Sequence, residues 1–238
     1  MPNVFISMPV MDKPELACLQ SLYSTILSCK EHSCRLYFTT NDSLISRVRN
    51  VNLSTFYYNY PECEYFISID SDLEIMNCHS SNNLIKKLIS HNLDFVGGLY
   101  SIKKQGEPRC SSITNDSKEA KFNSGLIEMR WLSTGCWCIK RSAIKKMIEA
   151  YPDLDYDGDD TATGLKCHAL YQPIIYQIEG KDFPINPNNI RRKYLSEDWS
   201  YCYRWKKIGG KIFADTSIVL KHIGKADYSL FNVEMKKG

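Results

Sequence analysis

One stretch constrains the fold more than any other: Tyr65-Phe66-Ile67-Ser68-Ile69-Asp70-Ser71-Asp72-Leu73-Glu74-Ile75. An apolar, β-branched run of strand length breaks off at two carboxylates spaced i, i+2. Apolar residues at nearly every position mark a strand covered on both faces, as in a parallel sheet packed between helices. In such sheets ligands sit beyond the carboxyl ends of the strands. In extended chain Asp70 and Asp72 point to the same side. Two anions there repel each other unless a hard cation joins them, and oxygen ligands of this kind suit Mg²⁺ or Mn²⁺. A strand followed by an Asx turn has the same residues, favoured by local hydrogen bonds. The stretch alone does not separate these two readings.

The flanking chain alternates strand and helix. Val4 to Met8 reads as a first strand ending at Pro9. Lys13-Pro14-Glu15 then opens a helix, with Asp12 as cap and Leu16, Leu19, Leu22 and Ile26 on one face. Cys34 to Thr40 reads as a second strand. Asn41-Asp42-Ser43 caps a helix carrying Leu44, Ile45, Val48 and Val51; aromatic residues from Phe56 to Tyr60 follow, and Pro61 marks the exit. Beyond the aspartates come a helix, Leu84 to His91, and a strand through Phe95-Val96-Gly97-Gly98-Leu99-Tyr100. This alternation predicts an α/β protein with a parallel or mostly parallel sheet.

Ser101 to Phe122 is polar and reads as a surface loop. Leu126 to Trp131 and Cys136 to Lys140 read as strands around Ser133-Thr134-Gly135, and Ser142 to Ala150 as a short amphipathic helix. Pro152 to Gly164 and Glu179 to Lys193 read as loops, with strand-like Ala169 to Tyr176 between them. Ser196-Glu197-Asp198-Trp199 opens a helix that runs to Ile208 and stops at Gly209-Gly210. Short strands at Lys211 to Ala214 and Ile218 to Leu220 follow, with His222 just beyond. No repeat or low-complexity linker interrupts the chain, which reads as one domain over residues 1–238.

Composition narrows the function classes. The 238 residues are enough for a substantial core, and 43% apolar with 24% charged is ordinary for a soluble globular protein. A net charge of +3 without basic runs argues against nucleic acid as a partner. Met1-Pro2-Asn3-Val4-Phe5-Ile6-Ser7 has no basic region ahead of an apolar segment, and no apolar run approaches the ~20 residues that span a bilayer. A cytoplasmic protein without a transmembrane segment is expected, with its ten cysteines as reduced thiols. Cys136-Trp137-Cys138 lacks a second pair at zinc spacing.

Three distant features fit one task. Asp70-Ser71-Asp72 can hold a divalent cation, His222 can complete its shell, and Glu197 with Asp198 places acids at a helix start. Each has a plainer reading: acids in a first turn complement the helix dipole, and a histidine at a strand end is commonplace.

Their order along the chain resembles that of nucleotide-sugar glycosyltransferases of the GT-A fold, in flavour the compact ones of bacteria and large DNA viruses. The matching elements are Ser43-Leu44-Ile45-Ser46-Arg47-Val48-Arg49-Asn50, Phe66 to Asp72, Asp94 to Lys103, Ser133-Thr134-Gly135-Cys136, Tyr194 to Trp205, and Gly209-Gly210-Lys211 through Asp215 to His222-Ile223-Gly224. The resemblance implies a Rossmann-like, mostly parallel central sheet flanked by helices. It also implies a nucleotide-binding half over about residues 1–105 and an acceptor-side half over about residues 106–238. Asp70 and Asp72 match the DxD residues that contact ribose and bind the Mn²⁺ or Mg²⁺ bridging the diphosphate, and His222 matches a third metal ligand. Arg49, Asn50 and Ser71 fall to nucleotide binding. Gly97, Gly98 and Gly135 would let backbone approach the donor sugar. Asp198 matches the base of inverting members, and Tyr100, Lys103, Glu197 and Trp199 would contact sugar or acceptor.

The implied partners are a nucleoside-diphosphate sugar, UDP by family habit, and a glycan or glycoprotein acceptor. The implied place is the bacterial cytoplasm or, for a viral protein, that of the host. The rivals are a retaining transferase of the same fold, a non-catalytic glycan-binding scaffold, and a haloacid-dehalogenase-type phosphatase. Against the phosphatase, Glu74 stands where Thr or Val is usual and two strands precede the motif. No G-x-G-x-x-G follows the first strand, which argues against dinucleotide chemistry.

Overall fold

Period-two alternation builds the molecule in three layers. The computed structural model describes residues 3–76, 83–104, 110–114, 125–158, 164–177 and 192–224. Its eight-stranded sheet runs in the order β2 (Ser33–Thr40), β1 (Asn3–Val10), β3 (Cys63–Ile69), β8 (Cys136–Lys140), β5 (Phe95–Gly98), β13 (Ile212–Asp215), β7 (Leu126–Trp131), β6 (Ile113–Thr114). Pairing directions make six of the eight strands point one way, with β8 and β7 reversed. The expected α/β architecture, a mostly parallel sheet flanked by helices, is therefore present, and residues on both sides of position 105 supply its strands.

Each central strand sends alternate side chains to opposite cores. Val4, Ile6, Met8, Ile67, Ile69, Val96, Cys136 and Cys138 face α1 (Leu16–Ser28) and α3 (Leu84–Ser90). Phe5, Phe66, Phe95, Trp137 and Ile139 face α2 (Ile45–Asn59), α4 (Arg141–Ala150) and α5 (Glu197–Lys207). This second core is aromatic: Trp137 lies 4.6 Å from Phe95 and 5.3 Å from Tyr201, ring centre to ring centre, and is fully buried. Truncating Trp137 to Ala would remove about 3–5 kcal/mol.

The helices depart from the pattern read in the sequence for identifiable reasons. In α1 the buried side is Cys18, Ser21, Leu22 and Thr25, while Leu16 is 67% exposed. Ser21 faces inward to serve neighbouring backbone, and the Thr25 hydroxyl donates to the Ser21 carbonyl at 2.8 Å. Ser21 Oγ accepts the Ile75 N–H of β4 (Leu73–Ile75) at 2.9 Å, and the Asn83 amide donates to the Thr25 carbonyl at 2.7 Å. Glu15 occupies the N-cap, without a side-chain cap bond. The helix α2 extends to Asn59 and takes in Phe56, Tyr57 and Tyr58, which the sequence reading had placed after it.

The buried flank of α2 is unusually polar. Asn52 Nδ2 donates to Ser7 Oγ at 2.9 Å, and Ser7 pairs in register with Ser68 on β3. Ser68 in turn accepts from Arg49 at 3.4 Å. A polar strip thus runs under α2 toward the carboxyl end of β3.

The strand-like segment Ala169 to Tyr176 begins as a turn and becomes strand only at β11 (Ile174–Gln177), paired with β12 (Arg192–Leu195). His222 lies inside β14 (Leu220–His222) rather than beyond it, opposite Leu73 of β4. Much of the two long loops, residues 105–109, 115–124 and 178–191, falls outside the described residues.

Candidate active site

The two aspartates leave β3 in a turn, not as extended chain. The Leu73 N–H donates to the Asp70 carbonyl at 3.2 Å, so the pleat does not align their side chains as the sequence reading assumed. Each carboxylate finds its own cation. Asp70 takes a two-pronged contact from Arg49 Nη2, at 2.9 and 3.2 Å. Asp72 Oδ2 accepts from Lys103 Nζ at 2.6 Å and faces His222 Nε2 at 3.3 Å.

Arg49 is 6% exposed, so it sits beneath the site and not on its surface. Burial works against its charge, but Asp70 first and Glu197 second outweigh that and hold its pKa above the ordinary value. Its Nε lies 3.8 Å from Glu197 Oε1, too far for a hydrogen bond. One buried guanidinium therefore stands between the acid at the end of β3 and the acids at the start of α5. Asn50, 5% exposed, is structural as well, its Oδ1 accepting from the Tyr171 N–H at 2.8 Å.

At the start of α5, Ser196 occupies the N-cap but does not cap the helix. Its hydroxyl donates to Asp198 Oδ1, which also accepts the Trp199 N–H at 2.8 Å. Burial raises the Asp198 carboxyl above its ordinary range, against the pull of these donors and of Arg49. Burial and then the neighbouring Asp198 charge raise Glu197 too, with Arg49 opposing. Asp72 goes the other way: burial would raise it, but hydrogen bonds from His222 and Lys103 prevail and bring it down to about 2.

The histidine is oriented by backbone. His222 Nδ1 lies 2.7 Å from the Ser101 carbonyl, an acceptor, so Nδ1 carries the proton and Nε2 turns to Asp72. Nε2 and Lys103 Nζ both converge on Asp72 Oδ2, at 3.3 and 2.6 Å. Asp72 and His222 thus fit a divalent cation, with the carbonyl-anchored imidazole usual for metal ligands. Asp70 is committed to Arg49, and among the described residues no three His, Cys, Asp or Glu side chains gather as a metal site.

Other expected contacts are placed differently. Tyr100 is 8% exposed and packs edge-on to His222, its hydroxyl accepting the Gly135 N–H at 2.9 Å; it is enclosed and offers no open sugar platform. Gly135 carries the link onward, its carbonyl accepting the Asp70 N–H at 3.0 Å. The glycines answer to packing. A Cβ on Gly97 would stand 2.2 Å from the Cys136 carbonyl oxygen, and one on Gly98 2.8 Å from Ile218, so close strand approach, not donor access, requires them. A Cβ on Gly135 would meet Leu73 and Tyr100 at 2.6 Å. Ser71 contributes its carbonyl, which accepts the Glu15 N–H at 2.8 Å and ties the turn to α1. Trp199 is half-buried, stacked on Trp131 at 5.9 Å with Lys193 Nζ 5.3 Å above its ring.

Sequence reasoning missed Ser68, Ser101 and Ser196 as partners. Ser7 and Ser68 were the available signal, since hydroxyls in otherwise apolar strands require a buried polar neighbour.

The mostly parallel sheet with helices on both faces is an α/β fold of the GT-A-like, Rossmann type. No protein-family model and no curated protein matches the chain. Among solved structures, A197 from STIV superposes with a TM-score of 0.55 at 15% identity, over 94% of this chain and 87% of that one. A glycosyltransferase involved in the glycosylation of the major capsid of PBCV-1 matches 62% of this chain and 65% of its own, at 13% identity and a TM-score of 0.34. The first likeness shows the fold; the second is too low to add to it. Among the described residues no helix is long and apolar enough to cross a membrane, and the cysteines are free thiols.

Proposed function

We propose that this chain is a glycosyltransferase that moves a sugar from a nucleoside-diphosphate sugar, UDP-linked by preference, to a hydroxyl of a glycan acceptor, with inversion. The observation that carries the reading is the chain Asp70–Arg49–Glu197, which joins the end of β3 to the start of α5 through one buried cation. Acids distant in sequence share one place, as a donor site facing an acceptor site requires.

Asp198 is the proposed base. Proton removal by a positioned carboxylate is worth ~10²–10⁴ in rate, and a pKa moved up toward the working pH suits the task. Ser196 and the Trp199 N–H fix one oxygen of Asp198. Glu197 would hold a sugar hydroxyl. Asp72 and His222 would hold Mn²⁺ or Mg²⁺, which when bound supplies Lewis-acid stabilisation of the departing diphosphate. Arg49 holds the Asp70 carboxylate in place at the end of β3, where it would meet the ribose.

Lys103 favours a second reading, in which its ammonium, 2.6 Å from Asp72, itself faces the diphosphate. A thermal-shift panel of UDP-, GDP-, dTDP- and CMP-sugars, with and without Mn²⁺, tests both, because a ligand bound to the folded state raises stability with its affinity. One donor should raise Tm in an Mn²⁺-dependent way. A shift independent of Mn²⁺ and lost in Lys103→Ala selects the second reading. No shift with any donor overturns the proposal.

A further inference from the structure

We propose that an open cleft of about 390 Å³ between the start of α2 and the turn 169–173 binds a neutral saccharide ring, the acceptor of the transfer; the assignment rests on the transferase reading above. The size falls within the ~300–1,000 Å³ of small-molecule sites.

Its walls extend the elements that carry the acids. One wall is the beginning of α2, where Asn50 lines the cleft and the preceding residue, Arg49, grips Asp70. The facing wall is the turn 169–173, where Pro173 precedes Ile174. The Ile174 N–H is held at 3.1 Å by Ser200 Oγ, inside the helix that begins with Glu197 and Asp198. The two walls are fixed to each other by the bond from the Tyr171 N–H to Asn50. Buried Arg204 pins the turn further, donating to the Leu170 and Gln172 carbonyls at 2.9 and 2.8 Å. The cleft is thus held by bonds to the same two elements, α2 and α5, that carry Arg49 and the proposed base.

The lining chemistry selects the ligand. Asp153 and Asp155 supply two carboxylates from a third wall, the turn Pro152–Leu154 and the strand β9 (Asp155–Asp157). They disfavour a diphosphate, and Arg47, the cation on the lining, is already engaged by Asp42 at 2.8 and 2.9 Å. Lys166 lies 3.3 Å from Asp155, an exposed pair that water screens. Carboxylates and the Gln172 amide are acceptors matched to neighbouring hydroxyls. Leu44, 53% exposed, and Pro173 give apolar surface for the C–H face of a ring. Hydroxyls on the rim with C–H on the face describe a sugar, and the negative lining calls for an uncharged one.

Saturation-transfer NMR on the full chain, without donor, tests this with methyl glycosides of glucose, galactose, mannose and xylose at millimolar concentration. At least one should receive saturation, and Asp153→Ala/Gln172→Ala should weaken its binding ~10-fold, the loss of two hydrogen bonds. An unchanged melting temperature checks that the variant is folded, since both side chains are exposed. If no glycoside binds, or the variant binds equally well, the inference falls. The donor panel separates the two failures. Donors that stabilise the protein while glycosides do not bind overturn only the acceptor assignment. Glycosides that bind through Asp153 and Gln172 with no donor effect keep the saccharide cleft and overturn the transferase reading.

Discussion

Asp70 and Asp72, at the end of β3, each rest against a cation, whereas Glu197 and Asp198, at the start of α5, share a guanidinium 3.8 Å from one and a hydroxyl on the other. Electrostatically, Asp72 is drawn down to about 2 while Glu197 and Asp198 are pushed up. Compensated carboxylates stay ionised and suit the holding of a cation or a ribose. Poorly compensated ones retain affinity for a proton, which is what a base needs. The contrast assigns work to the two regions without appeal to the bound substrate.

The sharpest break in that contrast is Asp198→Asn. Transfer should fall ~10²–10⁴-fold, measured by release of nucleoside diphosphate, while donor-induced stabilisation persists. Because the folded-state pKa of Asp198 is raised, its ionisation opposes folding, so the variant should melt no lower than the wild type. A marked drop in Tm would place Asp198 among the compensated acids.

Arg49→Met comes next. It leaves Asp70 and Glu197 without their shared buried cation, and removing one partner of a buried pair costs about 3–5 kcal/mol. Urea denaturation should show it, and Arg49→Lys should recover only part, since a single ammonium cannot face Asp70, Ser68 and Glu197 at once as Nη2, Nη1 and Nε do. A smaller loss is expected from Tyr100→Phe, about 1–3 kcal/mol, because the buried Gly135 N–H loses its acceptor. Gly135 also holds the Asp70 N–H, so the donor-induced shift should shrink in the same variant.

The smallest effect is in acid. Asp72 has a depressed folded-state pKa, so its contribution to stability is present above pH ~4 and fades as pH falls toward 2. Asp72→Asn should flatten the acid limb of Tm against pH. The rate should also fall on the acid side, with a midpoint above the usual aspartate range, as Asp198 takes up its proton.

The strands were legible because period two and β-branching are local properties: β1, β3 and β8 lie within a residue or two of where the residues place them. The inward face of α1 was not legible, since Ser21 is buried to hold the Ile75 N–H of β4 and the Thr25 carbonyl takes the Asn83 side-chain amide at the start of α3, needs invisible until those elements pack. The same holds in the site. Asp70, Asp72, Asp198 and His222 stood out by residue type and order. Their division into compensated and uncompensated pairs depends on Arg49 and Lys103, whose reach through space leaves no mark in spacing. At Gly97 the group in close approach is the Cys136 carbonyl of β8, and at Gly98 it is the Ile218 side chain.

The insertion of β13 between β5 and β7 has a consequence for biosynthesis. Residues 212–215 complete the middle of the sheet, so a chain emerging from the ribosome carries two unfinished β-edges until that strand has emerged. Non-local pairing of this kind slows folding and exposes edges to aggregation. Nascent chains halted before Ile212 should therefore need chaperones, and Asp72 can meet His222 only once β14 has followed β13 out of the ribosome.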